Sequence, residues 1–470
     1  MNCLERKVGC PDLGNARATT AFSYEAVCAS YNARAPRERS MPGRGEAPDH
    51  AMTAPAPLPF AAAPAAAPVQ DDRASQALAL VRDLSEPLLP GNQLTLLQDG
   101  PQTYEAMFEA IDRARLHVNL ESYILEAEGP GEEFARRLVE RAQAGVRVNV
   151  LYDSFGSLGT PASYFDHLRA HGVNVCEYNP LRRLGNLLSR ALHLRDHRKL
   201  MVVDGRIGFI GGVNISTVYS AGSSPLSGRH DAATAGSGEP RPGWRDTHVR
   251  VEGPVVNELQ RIFLRHWIKY ARRRLHGPGY FPRIAPAGGQ RVALAAVDAG
   301  RRRNPFYRAL LGAIDASRQR VWLTTAYLVP TRRLMRALVR AAQRGVDVRL
   351  LVPGISDFWA PVAAGRSHYG RLLRAGARIF ERHDTLLHAK TCVIDGMWTT
   401  VGSSNLDWRS FLHNAEANLV ALDAGLSAEM EAVYRDDIER AQEIVRAEWS
   451  QRGWRQRLLE IVARRFEFFL

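Results

Sequence analysis

Lysine is almost missing from this chain. Four of its 62 Lys and Arg residues are Lys: Lys7, Lys199, Lys269 and Lys390. Where Arg is the default cation, a retained Lys marks a place that needs a compact ammonium rather than a planar fork. Acidic residues are also short, 49 against those 62, leaving a net charge of +13. That excess points to an anionic partner, nucleic acid or an acidic membrane surface. Cysteine is scarce too. Five residues, an odd number without paired metal spacing, exclude a disulfide framework and fit a reducing compartment. No long apolar run is present: the longest uncharged N-terminal stretch, residues 54–69, carries five prolines. The opening MNCLERKVGC has no apolar signal-peptide core. Any membrane contact is therefore expected from the side.

What is present is a globular composition, 45% hydrophobic and 24% charged over 470 residues, enough for two domains. Residues 1–75, rich in Ala, Pro and Arg and without periodicity, read as a disordered tail. Beyond them two halves run in parallel, 76–280 and 281–448. YEAMFEAIDRARLHVNLESYIL (104–125) matches YRALLGAIDASRQRVWLTTAYLV (307–329), and RRLVERAQAGVRVNVLYD (136–153) matches MRALVRAAQRGVDVRLLVP (335–353). Each pair reads as a helix followed by a strand, which predicts an α/β sheet in each half and a pseudo-twofold dimer within one chain. A Ser/Gly/Pro-rich insertion, 220–243, has no second-half counterpart and is expected to be a mobile loop over the site. Two basic amphipathic stretches, 261–275 and 449–470, suit an anionic bilayer surface or pack on the core, with the residues favouring neither.

The strongest signal is a duplicated motif. HRKLMVVDGRIGFIGGVN (197–214) and HAKTCVIDGMWTTVGSSN (388–405) carry His, Lys, Asp, Gly and Asn at one offset of 191. Chance places a His-x-Lys in such a chain about 0.12 times. In a strand entering a hairpin, His197 and Lys199 share a face, as do His388 and Lys390. Asp204-Gly205 and Asp395-Gly396 are favoured turns, and the returning strands bring Asn214 and Asn405 back. Two such hairpins face to face form a cage for one tetrahedral anion. A neutral imidazole can attack phosphorus, and the opposite imidazolium can protonate the leaving alkoxide and later deprotonate an acceptor. The two lysines and two asparagines hold the non-bridging oxygens. The histidines are expected to start in different protonation states and to titrate as a pair. The chemistry needs no cofactor and no metal. Asp204 and Asp395 are expected to act mainly as turn formers, ion-paired near the site. Cys392, whose counterpart is Met201, reads as a packed strand residue.

The motif H-x-K-x4-D with G-[GS]-x-N, present twice over roughly residues 100–425, resembles the phospholipase D superfamily. Within it the chain is most similar to bacterial cardiolipin synthases, through WRDTHVRVEGPVV, AYLVP, LLVPGISD and the two motif segments. The resemblance implies two tandem α/β/α sandwich domains. It also implies a residue downstream of each motif that orients the catalytic His: Asp246 and Glu416. Their offset is 170, and the 21-residue shortfall matches the extra loop. The implied function is phosphatidyl transfer from phosphatidylglycerol to a second phospholipid through a phosphohistidine, with glycerol released. Family analogy points to His197 as nucleophile. The chain would be a short form without N-terminal membrane helices, peripheral on the cytoplasmic face of the bacterial inner membrane.

The alternative is a phosphodiesterase or nuclease using the same site. Cations interleaved with Trp, Phe and Leu favour lipid and disfavour nucleic acid as partner. A non-catalytic lipid-binding module would need one decayed motif, and both are complete. Glu121, Tyr123 and Tyr327, the last taken as second-half analogue of Tyr123, line the substrate pocket or are ordinary strand residues. Ser404, Arg409 and Ser410 are candidates for a headgroup phosphate, Arg409 equally for a local cap. His368 and His383 read as surface residues. Nothing in the residues indicates an oligomeric state.

Overall fold

The structure, a computed structural model, describes residues 69–180, 193–223, 243–277, 279–301 and 303–468. Residues 1–68 of the expected tail and 224–242 of the expected loop lie outside that range. Residues Ala66–Leu470 form one compact unit.

The first half contains α1 (Val69–Val81), β1 (Leu89–Gln98), α2 (Asp99–Asp112), β2 (His117–Ser122), α3 (Pro130–Gln143) and β3 (Arg147–Asp153). It continues with α4 (Ala162–Ala170), β4 (Asn174–Tyr178), β5 (Leu200–Val203), β6 (Ile207–Gly211), β7 (Thr247–Glu252) and α5 (Val256–Ala271). The second half contains β8 (Gln290–Val297), α6 (Pro305–Ala316), β9 (Arg320–Thr324), α7 (Arg332–Gln343), β10 (Asp347–Pro353), α8 (Trp359–Arg374) and β11 (Arg378–Arg382). Then come β12 (Thr391–Ile394), β13 (Trp398–Gly402), α9 (Trp408–Leu412), β14 (Glu416–Leu422), α10 (Ala424–Glu439), β15 (Ala441–Glu443), α11 (Arg446–Ser450) and α12 (Trp454–Arg465).

The strands form one mixed sheet. Its first-half order, β4-β3-β2-β5-β6-β7-β1, is repeated by β11-β10-β9-β12-β13-β14-β8, with β15 added at the far edge. The halves meet where β1 pairs antiparallel with β8, Leu89 opposite Val292 and Asn92 opposite Gln290. This is the pseudo-twofold arrangement that the repeats imply. Both helix layers are real. α2, α3 and α4 pack Met107, Ile111, Phe134, Leu138 and Phe165 on one face of the first half, and α6 and α7 do the same for the second with Leu310, Ile314 and Leu338. On the other face α5 and α10 share a core drawn from both halves: Leu259, Phe263, Met430, Val251 and Leu419.

β2, β3 and β4 run parallel, and β5 runs antiparallel to β2 with Leu200 opposite Glu121. The start of β5 thus lies at the C-terminal end of the parallel strands, where open α/β sheets place their ligands. β12 repeats this against β9, Thr391 opposite Thr324. The hairpin turns have φ of 52° and 63° at Asp204 and Gly205, and the same at Asp395 and Gly396. The Asp204 carboxylate accepts N–H groups of Arg115, Leu116 and His117 at 2.9, 2.7 and 2.9 Å. Asp395 accepts those of Arg318, Gln319 and Arg320 at 2.9, 2.8 and 2.9 Å. Each motif aspartate staples its hairpin to the strand before it, away from the lysines and histidines.

Three expectations change. The tail ends earlier than residue 75, because α1 begins at Val69; Leu80 joins the second-half core, and Gln76 Nε2 donates to Asp395 Oδ2 at 2.6 Å. Of the two amphipathic stretches, the first is a core helix: Ile262 and Trp267 of α5 are buried. His368 is buried as well, its Nε2 3.0 Å from Glu467 Oε2, because the C-terminal segment covers that face of α8.

Candidate active site

The two His-x-Lys segments are not themselves hairpin strands. Each is an extended run just before β5 or β12, and each pairs with the opposite half. His197 N–H donates to Ala415 O at 3.0 Å, and Ala415 N–H to Arg195 O at 2.8 Å. Symmetrically, His388 N–H donates to Arg245 O at 2.7 Å, and Arg245 N–H to Leu386 O at 2.9 Å. The residue after each partner is the orienting carboxylate, so the carboxylates cross between halves. Backbone register alone brings Glu416 to His197 and Asp246 to His388.

His388 Nδ1 lies 2.7 Å from Asp246 Oδ2, with the Tyr219 hydroxyl at 2.8 Å and Lys390 Nζ at 2.7 Å. The tautomer that donates Nδ1–H to Asp246 leaves Nε2 as the nucleophilic or proton-carrying atom. His197 Nδ1 lies 3.1 Å from Ser403 O and 3.2 Å from Glu416 Oε1, with the same consequence. Glu416 is steadied by the Ser403 hydroxyl and by Asn414 Nδ2 at 3.4 Å. Gly212 stands where Ser403 stands in the second half, and a Cβ there would collide with the Asp246 carboxylate.

The site's side chains are buried, and burial shifts their protonation. Burial, then the Lys390 ammonium, pulls Lys199 down to about 7. Burial brings Lys390 to about 8. Burial and the adjacent ammonium lower His388 to about 4, and burial with Lys199 lowers His197. Burial raises Asp246, but Lys390 and His388 outweigh it and the carboxyl ends below its usual value. His197 and the Ser403 hydroxyl do the same for Glu416. With both carboxylates ionised and both imidazoles neutral, the charge of the site is set by the two lysines, whose values of about 7 and about 8 fall near neutral pH. Burial holds both rings toward the neutral form, so an imidazole–imidazolium pair would need the field of a bound anion to protonate one of them.

The other candidates divide into site and support. Tyr123 belongs to the site: its ring centroid is 5.0 Å from that of His197, and Lys199 Nζ sits 5.1 Å from the ring. Its counterpart is Ala326, not Tyr327. Ser122 and Thr325 both donate to the carbonyl two residues on, which puts Tyr327 opposite Ile124. Tyr327 instead donates to Asp357 Oδ1 at 2.7 Å. Asn214 Nδ2 donates to the Tyr219 hydroxyl at 3.3 Å, reaching His388 through it. Asn405 Oδ1 is buried without a hydrogen-bond partner. Ser404 is committed to Asn418 Oδ1 at 2.5 Å, and Ser410 Oγ accepts the Asn405 N–H at 3.1 Å. Arg409 is half-buried at the first turn of α9.

Glu121 is buried in an ion network beneath His197. Its Oε1 meets His266 Nδ1 at 2.9 Å and Arg198 Nη1 at 3.8 Å; Arg198 Nη2 meets Asp298 Oδ1 at 2.9 Å, and His266 Nδ1 lies 3.5 Å from Asp196. Burial and Arg198 would lower His266, but the carboxylates raise it to about 10. Glu121, Asp196 and His266 bring three ligand-type atoms within 4.8 Å of one another and are joined as a salt network. Sequence reasoning missed this network, along with Tyr219, Trp244 and Ser403. The Trp244 ring lies 5.3 Å from that of His388, tilted by 49°, and its signal was its place just before Arg245-Asp246.

Comparison with known proteins shows the family. The family model described as cardiolipin synthase, PLD-like domain, matches residues 107–220 and 310–438. A cardiolipin synthase A of Pseudomonas fluorescens is 37% identical over 399 residues, 83% of this chain and 79% of that protein. A cardiolipin synthase of Geobacillus kaustophilus is 33% identical over 380 residues, 80% and 72% of the two chains. The crystal structure of a phosphatidylserine synthase from Haemophilus influenzae superposes with a TM-score of 0.60 at 13% identity, covering 85% of this chain and 99% of that one; it supports the fold alone. The chain belongs to the cardiolipin synthase family of PLD-like phosphatidyltransferases.

Proposed function

We propose that this family member makes cardiolipin by moving a phosphatidyl group from phosphatidylglycerol to the glyceryl hydroxyl of a second phospholipid. Nε2 of His197 or His388 attacks the phosphorus, a P–N bond forms, and the P–O bond to glycerol breaks. The other imidazolium gives its proton to the departing glycerol alkoxide. The neutral ring left behind then takes the proton of the incoming hydroxyl, whose oxygen displaces the phosphohistidine. Lys199, Lys390, Asn214 and Asn405 are assigned the non-bridging oxygens, and Asp246 and Glu416 hold each Nδ1–H.

The observation that carries this reading is the crossed pairing, which makes one site out of two motif copies and gives both imidazoles the same tautomer. Transfer over hydrolysis is favoured by the burial of the lysines, which keeps water scarce around a phosphohistidine. We further propose that the protein works peripherally on the cytoplasmic face of the bacterial inner membrane. No helix among the described residues is long and apolar enough to cross a membrane.

The test mixes purified protein with phosphatidylglycerol vesicles and a chelator and resolves the products by chromatography. Cardiolipin with an equimolar release of glycerol is expected. Phosphatidic acid alone would make the protein a phospholipase, and cleavage of DNA without lipid turnover would make it a nuclease.

A further inference from the structure

The C-terminal helix α12 is built inside out. A surface helix normally buries its apolar stripe and shows its charges. α12 turns Gln456, Glu460 and Ala463 toward the protein, at i, i+4 and i+7 spacing, and Glu467 just past its end continues that face. Glu460 is 2% exposed, while Trp454, Leu458 and Ile461 on the opposite side are 70%, 52% and 60% exposed. The seat is specific. Glu460 takes Arg452 at 3.0 and 2.8 Å, and Ala463 packs on Val329, Ala363 and Ala364. Glu467 holds His368, and Phe468 lies 5.7 Å from Trp408 and 5.4 Å from His413. The Arg452–Glu460 pair within the segment and the contacts of Ala463, Glu467 and Phe468 with the body thus seat the helix with its apolar side facing out.

The place of that side matters. α8, on which α12 rests, begins at Trp359, and Ile355, Phe358 and Trp359 are exposed as well. They follow β10, at the same end of the parallel strands as the His-x-Lys segments, where Asp357 meets Tyr327. In the first half Phe155 and Leu158 are exposed in the equivalent loop, after β3. Arg455, Arg457, Arg464 and Arg465 are exposed on α12 itself.

Resting on the lipid reading above, we infer that the outward face of α12, continued by Ile355, Phe358 and Trp359, docks on an anionic phospholipid bilayer and holds the mouth of the site against the headgroups. The arginines choose the occupant. A second copy would set these four cations against their own images, whereas acidic headgroups neutralise them while Trp, Leu and Ile enter the interfacial layer.

The experiment uses the full chain, its Leu458→Glu/Ile461→Glu variant, and Ile268→Glu on α5 as a control at another exposed apolar residue. Flotation with phosphatidylglycerol/phosphatidylcholine vesicles reads docking; turnover of short-chain phosphatidylglycerol dissolved as monomers reads the site. The double variant is expected to lose at least about tenfold in vesicle partition. Its turnover of dissolved lipid and its thermal unfolding should match the parent, and Ile268→Glu should dock normally. Equal partition of the double variant and the parent would overturn the inference. So would light scattering that shows the parent as a dimer split by the two glutamates. Docking is measured without turnover, so an inactive parent would refute the enzymatic reading and leave the flotation comparison to decide this one.

Discussion

The two halves share strand order, motif and turn geometry, yet what lies beneath their histidines differs. Under His197 the flanking residues are Asp196 and Arg198, tied into a buried network with Glu121, His266 and Asp298. Under His388 the same positions are Leu387 and Ala389, packed with Trp322, Leu351, Phe380 and Tyr434. One catalytic segment rests on ion pairs and the other on hydrocarbon. The difference extends to the orienting carboxylates: a short Asp246 with Gly212 beneath it, against a longer Glu416 braced by Ser403. Symmetry of the backbone sets the two His-x-Lys segments in equivalent places. Asymmetry of the support gives them different electrostatics.

The comparison breaks most severely at the histidines. His197→Ala and His388→Ala should each lower turnover by at least about 10³-fold, because a shared site has no half-activity. A single variant that kept half the parent rate would mean two independent sites. Next come the crossed carboxylates. Asp246→Asn and Glu416→Gln should each cost about 10²- to 10⁴-fold through the wrong tautomer. Adding Asp246→Asn to His388→Ala should then cost nothing more, although the two residues belong to different halves. A full further loss on that background would show that Asp246 serves His197 instead.

Arg198→Ala and Ala389→Gly compare the two supports directly. Removing Arg198 leaves three carboxylates, Glu121, Asp196 and Asp298, to share His266 as their one cation, and should destabilise the fold by about 3–5 kcal/mol. Ala389→Gly should cost about 1 kcal/mol or less. Equal losses in denaturant titration would mean that the network carries no uncompensated charge.

The smallest effect is in pH. Lys199 titrates near 7 and Lys390 near 8 in the free protein, so affinity for a phosphodiester should fall as pH rises through that window. Unfolding does not mimic this. Both folded values lie below the unfolded 10.5, so the unfolded chain binds more protons above pH 7 and stability rises with pH there. Affinity flat from pH 6 to 9 would put the anion elsewhere.

Much of this was legible in the chain. The offset of 191 gave the hairpins, and the helix–strand repeats gave the sheet in each half. The crossing was not, because which carboxylate reaches which histidine is decided by Ala415 and Arg245 pairing across the seam, a contact with no sequence period. The ion network was hidden for the same reason: its members are scattered from Glu121 to Asp298, and each looks solvated alone. Tyr327 was misaligned because an aromatic ending a strand looks equivalent to another aromatic, whereas Ser122 and Thr325 mark the true register. The first turns of α1, residues 69–75, were lost in the tail because VQDDRAS carries no apolar period. α5 and α12 read alike as basic amphipathic helices, and only packing separates the one buried by its apolar side from the one held by its polar side.

A crystal structure with vanadate, a five-coordinate phosphate mimic, tests the central claim most directly. One vanadium atom should be found, bonded to Nε2 of His197 or His388 with Nε2 of the other on the opposite apical oxygen, and with Asp246 on His388 and Glu416 on His197. Two vanadates, one at each histidine, or a single one bound by the Lys and Asn of one half alone, would contradict it.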